Sequence, residues 1–126
     1  MNLSLDGKNV LITGAGGFIG SHLAEELIKK GAKVRCFLRY NSIGSKGLLK
    51  LECLRNIEIL FGDLRNIESV RKAMKDIKVV FHLGALISIP YSYEDPRAYV
   101  EANIIGSLNI FQAAREEGVD KIIHTS

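Results

Sequence analysis

Glycine residues at regular spacing give the clearest chemical signal in this sequence. Gly14, Gly17 and Gly20 follow an apolar run that ends at Thr13, and a helical pattern starts directly after them. This order predicts a strand, a tight turn and a helix. A helix N-terminus offers unpaired N–H groups and the positive end of a dipole, and glycines let a pyrophosphate approach the backbone. We therefore expect the phosphate-binding turn of a dinucleotide site, with an ordinary glycine-rich turn as the alternative.

The elements that position this turn alternate along the chain. Strands are predicted at residues 8–13, 33–38, 57–61, 79–83 and 121–125, and helices at residues 18–30, 66–75 and 96–117. Residues 48–54 are predicted as one or two helical turns, and residues 39–47 and 85–95 as loops. Strands that are apolar on both faces and alternate with helices are typical of a parallel sheet covered on both sides.

This alternation predicts one α/β domain over residues 1–126. Right-handed crossovers, with a reversal after the third strand, give a Rossmann-type doubly wound parallel sheet in the order 3-2-1-4-5. The sequence stops on the predicted fifth strand, so we expect a domain truncated there, without its last strands or a substrate-binding domain. Ligands of such sheets bind at the carboxyl ends of the strands.

Composition and charge argue against several classes of function. The net charge of +3 is small, the charges are mixed along the chain, and no basic stripe with aromatic residues suggests a nucleic-acid partner. The apolar runs are too short for a membrane span, and residues 1–9 lack the apolar core of a signal peptide. Cys36 and Cys53 lack metal-ligand spacing, so we expect no metal site and reduced thiols in a cytoplasmic protein.

The glycine turn resembles that of a known family. The usual dinucleotide pattern G-x-G-x-x-G does not fit, because Ile19 stands where its third glycine would be. With Thr13 and Phe18 the stretch reads T-G-x-x-G-F-I-G, which is similar to the extended short-chain dehydrogenase/reductase family of NAD-dependent nucleotide-sugar epimerases and dehydratases. Five motifs in order carry this resemblance over essentially the whole chain.

The resemblance implies a set of cofactor-binding residues. They are Gly14, Gly16, Gly17, Phe18, Ile19, Gly20, Arg39, Asn41, Ser42, Asp63, Leu64, Leu83, Gly84, Ala85, Asn103 and Thr125. Small residues after the fourth strand would let the nicotinamide ribose and the pyrophosphate lie against the backbone. The family usually reads H-L-A-A there, and Gly84 departs from it by one methyl group. Asp63 would bind the adenine amino group, with a turn or helix-cap aspartate as the alternative.

The end of the second strand bears on the choice between NAD and NADP. An acidic residue there binds the ribose 2′-OH of NAD, whereas an arginine accommodates the 2′-phosphate of NADP. The sequence places Arg39 there and no Asp or Glu, followed by Asn41 and Ser42 as further donors. We therefore expect NADP, with NAD as the alternative cofactor and a solvated loop arginine as the alternative for Arg39.

The loop after the fourth strand resembles that of nucleotide-sugar 4,6-dehydratases more than that of epimerases, in the phrase L-I-S-I-P-Y-S-Y-x-x-P. The resemblance places Ser88 and Tyr91 near the nicotinamide and the sugar substrate; alternatively, the tyrosines cap the next helix. Asn103 stands in a further family motif, Y-x-x-x-N-x-x-G-T/S-x-N, whose asparagine lies beside the cofactor.

Catalytic residues are not expected within this chain. The resemblance places the catalytic Ser or Thr one residue past Ser126, and no tyrosine here is followed by lysine at the fourth position. The three histidines, His22, His82 and His124, are expected as packed residues rather than acids or bases.

The resemblance thus implies the NAD(P)-binding part of a nucleotide-sugar 4,6-dehydratase, inactive on its own. Such enzymes take a hydride from sugar C4 onto the cofactor, eliminate water across C5–C6 and return the hydride. A homodimer is expected, because apolar sheet surface would be exposed. A 4-epimerase is one alternative, and a non-catalytic dinucleotide-binding module is another.

Overall fold

A computed structural model describes residues 4–39, 47, 49–50 and 55–125 of the chain. Within these residues five parallel strands form one sheet in the order β3-β2-β1-β4-β5. The strands are β1 (Asn9–Thr13), β2 (Lys33–Arg39), β3 (Ile57–Gly62), β4 (Val79–His82) and β5 (Lys121–His124). The predicted strand order and fold class are confirmed.

Helices connect the strands. They are α1 (Phe18–Lys29), α2 (Ile67–Met74), α3 (Ile89–Glu94), α4 (Pro96–Tyr99), a π-helical segment (Val100–Ile105) and α5 (Gly106–Glu117). The helix α2 begins where the Asn66 side chain accepts the N–H groups of Glu68 and Ser69, at 2.9 and 3.3 Å. The last helix ends at Gly118, whose positive φ of 76° suits a residue without a Cβ.

Two sequence predictions differ from this structure. The loop predicted at residues 85–95 contains α3, because Pro90 at the start of that helix is compatible with a first turn. The single helix predicted at residues 96–117 contains the π-helical segment, which a pattern of apolar residues does not reveal. The helical turns predicted at residues 48–54 fall largely outside the described residues.

Alternation along β1 divides the core between the two faces of the sheet. Val10 and Ile12 are fully buried on the face covered by α1, where they pack with Ala24 and Leu27. Leu11 is fully buried on the opposite face, in a cluster formed with side chains of α2 and α5 such as Val70, Met74 and Ile110. Both faces of the central strand are therefore shielded, which explains its continuous apolar sequence.

The register brings the carboxyl ends of the strands to one edge. Thr13 pairs with Phe37 on one side and with His82 on the other. Arg39 pairs with Gly62. The glycine turn after β1 thus lies between the ends of β2 and β4, at the edge where an open α/β sheet binds its ligand.

Two further properties concern the described part of the chain alone. None of its helices is long and apolar enough to cross a membrane. Nowhere in this part do three or more His, Cys, Asp or Glu side chains come together in a way that could hold a metal ion.

Candidate functional site

A cleft of about 530 Å³ lies at the carboxyl edge of the sheet. Nine of the residues singled out from the sequence line it: Gly14, Gly16, Gly17, Arg39, Asp63, Leu64, Gly84, Ala85 and Tyr91. The other lining residues are Thr13, Phe37, Leu38, Gly47, Gly62, Arg65, Leu86, Asp95, Ala98 and Ala102. The ends of β1, β2, β3 and β4 all contribute, so the register of the sheet assembles this cleft.

The three glycines of the turn differ in whether the surrounding protein leaves room for a Cβ. Gly14 has a φ of +72°, and a Cβ there would lie 2.9 Å from the amide nitrogen of Gly84. A Cβ at Gly20 would lie 2.1 Å from the carbonyl oxygen of Gly14. At Gly17 φ is −81°, and the nearest atom to a Cβ would be the Gly14 oxygen at 3.4 Å. The packing of the protein itself thus requires Gly14 and Gly20 but leaves room for a side chain at Gly17, which lines the cleft.

The N-terminus of α1 presents backbone donors next to Gly17. That helix has no side-chain cap, and the N–H groups of its first turn have no carbonyl partner within the helix. The side chains of Phe18 and Ile19 are 71% and 66% exposed and do not line the cleft. Whatever these two residues and Gly20 contribute to binding therefore comes from their backbone N–H groups.

Asp63 is held by Arg65 in a two-pronged ion pair. The Arg65 side chain donates Nε to Oδ1 at 3.0 Å and Nη2 to Oδ2 at 2.7 Å, and its backbone N–H donates to Oδ1 at 2.9 Å. These hydrogen bonds, with a smaller contribution from the charge of Arg39, lower the pKa of the Asp63 carboxyl. The carboxylate is thus ionised inside the cleft, and its charge is balanced by that of Arg65. This is the turn role named above as the alternative, and an adenine contact stays a prediction.

Arg39 lies at the end of β2 on the cleft and is exposed. Among the residues that the structure describes, its guanidinium has no hydrogen bond or ion pair of its own and only a long-range attraction to Asp63. It is therefore available to an anionic ligand. Asn41 and Ser42, predicted beside it, lie outside the described residues.

His82 is buried at the end of β4, as predicted, with 1% of its surface exposed. Its Nδ1 lies 2.6 Å from the Thr13 hydroxyl and its Nε2 lies 2.9 Å from the Ser107 hydroxyl. Burial, and then the nearby His124, lower its pKa from 6.5 to about 4, so the ring is neutral at pH 7. Thr13 and Ser107 were not predicted to act in the site.

The other two histidines, which were also expected to be packed, are exposed in this structure. His22 bonds the carbonyl oxygen of Phe18 through Nδ1 at 2.7 Å, one helical turn back. His124 stacks on His82 with ring centroids 5.1 Å apart. An isolated histidine in a helix or an edge strand gave no sequence signal to separate these cases.

Side chains of the π-helical segment and α4 position the chain that follows β4. The Asn103 amide accepts the N–H of Leu86 at 2.8 Å and donates to its carbonyl at 2.9 Å. The Tyr99 hydroxyl donates to the carbonyl of Ser88. The tyrosine rings at 91 and 99 lie 5.9 Å apart, and Tyr91 reaches the cleft.

Four other predicted residues do not line the cleft: Ser88, Leu83, Asn103 and Thr125. Leu83 packs into the core on the α1 face, and Thr125 is exposed after β5, where its N–H donates to the His82 carbonyl at 3.2 Å. Conversely, the cleft includes Gly47, which sequence reasoning missed. Its φ of +65° and its approach to Gly16, where a Cβ would lie 2.3 Å from the Gly16 oxygen, explain the glycine.

The last family motif acts on the walls of the cleft. A Cβ at Gly106 would lie 3.0 Å from the Cβ of Leu64, so a larger residue would push Leu64 away. The Asn109 amide donates to the Leu64 carbonyl at 2.8 Å. The helix α5 therefore fixes the position of Leu64. Leu64 in turn packs against Gly84, where a Cβ would lie 2.9 Å from Leu64 Cδ1.

Comparison with known proteins identifies the family of this chain. A family model described as GDP-mannose 4,6 dehydratase matches residues 11–126. This chain belongs to the NAD-dependent epimerase/dehydratase family. The UDP-N-acetyl-alpha-D-glucosaminuronate decarboxylase of Bacillus cytotoxicus is 38% identical over 119 residues, which are 94% of this chain and 36% of that relative.

Solved structures of the family share the fold of this member. The X-ray structure of Pen from Bacillus thuringiensis matches with a TM-score of 0.88 and 35% identity, covering 98% of this chain and 38% of that one. The UDP-glucose 4-epimerase of Thermus thermophilus, a complex with NAD, matches with a TM-score of 0.77 and 34% identity, covering 90% and 36%. The chain spans about a third of the length of the curated relatives it matches.

The contrast among the glycines yields a first prediction. Replacing Gly17 by valine should leave the fold intact, since φ suits any residue, and should weaken dinucleotide binding at least about tenfold by filling the cleft. Calorimetric titration with NADH and NADPH, alongside a thermal melt, measures both effects.

Two variants serve as controls for Gly17→Val. Phe18→Ala removes an exposed side chain of the same turn and keeps its N–H, so binding should persist. Gly20→Ala should lower the melting temperature, since its Cβ would collide with the Gly14 oxygen. Unchanged binding by a folded Gly17→Val protein would show that no ligand uses this face of the turn.

The low pKa of His82 yields a second prediction. The imidazole titrates near 4 when folded and near 6.5 when unfolded, so the unfolded state takes up the proton first as the pH falls. The stability of the neutral ring is fully present above pH 6.5 and is lost progressively down to about pH 4. We expect this loss to be about 3 kcal/mol of unfolding free energy.

Urea unfolding between pH 7 and pH 4 measures this loss by comparing wild type with His82→Gln, which keeps one acceptor and one donor. The difference between the two proteins should shrink as the pH falls. The exposed His22→Gln variant is the matched control and should follow wild type. Parallel curves for wild type and His82→Gln would contradict the assignment.

Proposed function

We propose that this chain is the NAD(P)-binding part of a nucleotide-sugar 4,6-dehydratase. The observation that carries the cofactor role is Gly17: it lines the cleft, yet nothing in the described protein requires its missing Cβ. A pyrophosphate at the N-terminus of α1 accounts for that empty space. Bound there, the nicotinamide would supply the hydride chemistry at sugar C4.

Each predicted residue then has a proposed task. The turn residues Gly14, Gly16, Gly17, Phe18, Ile19 and Gly20 would hold the pyrophosphate, and Arg39, Asn41, Ser42, Asp63 and Leu64 the adenosine half. Leu83, Gly84, Ala85 and Thr125 would border the nicotinamide half, while Asn103 acts through its hold on Leu86. Ser88 and Tyr91 would face the sugar.

The dehydratase is favoured over an epimerase by the description of the matching family model and by the phrase at residues 86–96. The two reactions share the cofactor and differ in how the sugar is held, so a 4-epimerase is the second candidate. A non-catalytic dinucleotide-binding module is the third, and only its lack of turnover in any longer form of the protein would favour it.

We propose that turnover needs a Tyr-x-x-x-Lys pair outside these residues. Residues 1–126 alone, incubated with NADP+ or NAD+ and either GDP-mannose or UDP-glucose, should give no product. A protein extended beyond Ser126 should give a 4-keto-6-deoxy sugar, seen by mass spectrometry as the loss of one water. A product of unchanged mass with inverted C4 would indicate an epimerase, and product from residues 1–126 alone would refute the placement of the catalytic groups.

We also propose a preference for NADP. Arg39 is unpaired among the described residues, and Asp63 is ion-paired with Arg65, so the Arg39 guanidinium can donate to a 2′-phosphate. Binding of one phosphate by an exposed arginine adds roughly 1–2 kcal/mol, about 5- to 30-fold in affinity.

Titration of wild type and Arg39→Ala with NADPH and NADH, at two salt concentrations, measures this preference. The Arg39→Ala variant should lose the preference for NADPH, and higher salt should reduce it in wild type. Arg115→Ala, which replaces an exposed arginine of α5 that does not line the cleft, is the matched control. A preference for NADH that survives in Arg39→Ala would contradict the proposal.

The homodimer and the cytoplasmic location are likewise proposals. Four exposed apolar side chains, Val100, Ile104, Leu108 and Phe111, lie three or four residues apart along the π-helical segment and α5. A second copy of the protein would remove this stripe from water. Sedimentation equilibrium measures the oligomeric state directly.

A further inference from the structure

Three hydroxyl and imidazole groups from distant parts of the chain meet below the cleft. Thr13 ends β1, His82 ends β4 and Ser107 lies in the first turn of α5. Their exposed fractions are 0%, 1% and 9%. The imidazole lies between the two hydroxyls, 2.6 Å from Thr13 Oγ1 through Nδ1 and 2.9 Å from Ser107 Oγ through Nε2.

The hydrogen bonds of Thr13 decide where the protons are. Its Oγ1 accepts the backbone N–H of Gly84 at 2.9 Å and that of Leu83 at 3.1 Å, and the Leu83 N–H is shared with the Thr13 carbonyl oxygen at 3.3 Å. A hydroxyl oxygen has two lone pairs and one proton. Both lone pairs are used, so the Thr13 proton is donated to Nδ1 of His82, which must be bare. The neutral ring therefore carries its proton on Nε2 and donates it to Ser107.

The opposite tautomer, with the proton on Nδ1, is excluded by the number of donors around Thr13 Oγ1. With the proton on Nδ1, three donors would point at Oγ1 of Thr13, which has two lone pairs. The hydroxyl proton of Thr13 would then have no acceptor among the described neighbours. Because this group is fully buried, such a loss would be costly.

The two amides held by Thr13 begin the wall of the cleft beside β4. The amide nitrogen of Gly84 is also the atom that a Cβ at Gly14 would meet, at 2.9 Å. A Cβ at Gly84 would lie 3.1 Å from Thr13 Oγ1. The Thr13 hydroxyl thus lies at the junction of the glycine turn and the Gly84–Ala85 wall.

We propose that Thr13, His82 and Ser107 are positioning residues for the cofactor. In this arrangement Ser107 holds the Nε2–H tautomer of His82, and the bare Nδ1 turns the Thr13 hydroxyl. The lone pairs of that hydroxyl then fix the Leu83 and Gly84 amides, which sets the width of the cleft where the nicotinamide half of a dinucleotide lies. The inference rests on the proposed cofactor function for its ligand, and on the hydrogen bonds alone for its proton arrangement.

Nuclear magnetic resonance of the ligand-free protein tests the proton arrangement. Long-range proton–nitrogen spectra at pH 7 should show His82 with Nε2 protonated and Nδ1 bare. Amide exchange at Gly84 should be slow in wild type and in Thr13→Ser. It should be at least about tenfold faster in Thr13→Val, which keeps the shape and removes the hydroxyl. The Leu83 amide keeps the Thr13 carbonyl oxygen as an acceptor in every variant and serves as the internal control.

Titration with NADH and NADPH tests the link to the cofactor. Thr13→Val should lower the affinity about tenfold, and Thr13→Ser should restore it to within about twofold of wild type. If Thr13→Val fails to fold, Ser107→Ala replaces it: it removes only the acceptor of the Nε2 proton, so the ring is held less firmly and binding should weaken severalfold.

The outcomes separate the inference from the function on which it rests. The positioning arrangement is overturned, whether or not a dinucleotide binds, by either of two results. One is a His82 ring protonated on Nδ1, and the other is a folded Thr13→Val protein whose Gly84 amide exchange is no faster than that of wild type. Unchanged cofactor affinity in Thr13→Val, with wild type binding normally, overturns the link to the cleft. Wild type that binds neither NADH nor NADPH overturns the proposed function, while the tautomer and exchange still decide the hydrogen-bonded arrangement.

Discussion

The contact between the backbones of Gly14 and Gly84 is the constraint on which the site depends. A Cβ at Gly14 would lie 2.9 Å from the Gly84 nitrogen, so the turn after β1 and the chain after β4 touch without side chains between them. The positive φ of Gly14 then aims the chain toward α1, and the close approach of Gly20 to the Gly14 oxygen fixes where that helix starts. These two contacts leave the space beside Gly17 open, and the cleft extends into that space.

Several polar side chains in this region hold backbone groups. Thr13 holds two amides after β4, Asn103 holds both backbone groups of Leu86, and Asn109 holds the carbonyl of Leu64. Among the described side chains, no fully buried polar atom lacks a hydrogen-bond partner. Preorganisation of this kind spares a ligand the cost of ordering the walls, and it leaves Arg39 and the N–H groups of α1 as the groups available to an anion.

Much of this was readable from the sequence, because strand order follows from alternation and crossover handedness, and the turn from the spacing of Gly14, Gly17 and Gly20. The packed place of His82 was also predicted, although the same expectation for His22 and His124 did not separate them from it. What sequence could not supply is the direction of side chains. Asp63 stands where an adenine contact is expected, and nothing in the sequence indicates that both of its oxygens accept hydrogen bonds from Arg65, two residues on. Asn103 sits in a family motif, yet the π-helical segment turns its amide to Leu86, and a pattern of apolar residues carries no trace of that extra residue per turn.

The pairing of β1 with β4 has a consequence for how the molecule folds. Thr13 and His82 are 69 residues apart in the chain, and every contact that shapes the glycine turn from the β4 side joins segments at about this distance. Closing this loop costs more chain entropy than closing the shorter loop of the β1–β2 pairing. During synthesis, the turn therefore has no wall to rest against until Gly84 has emerged from the ribosome.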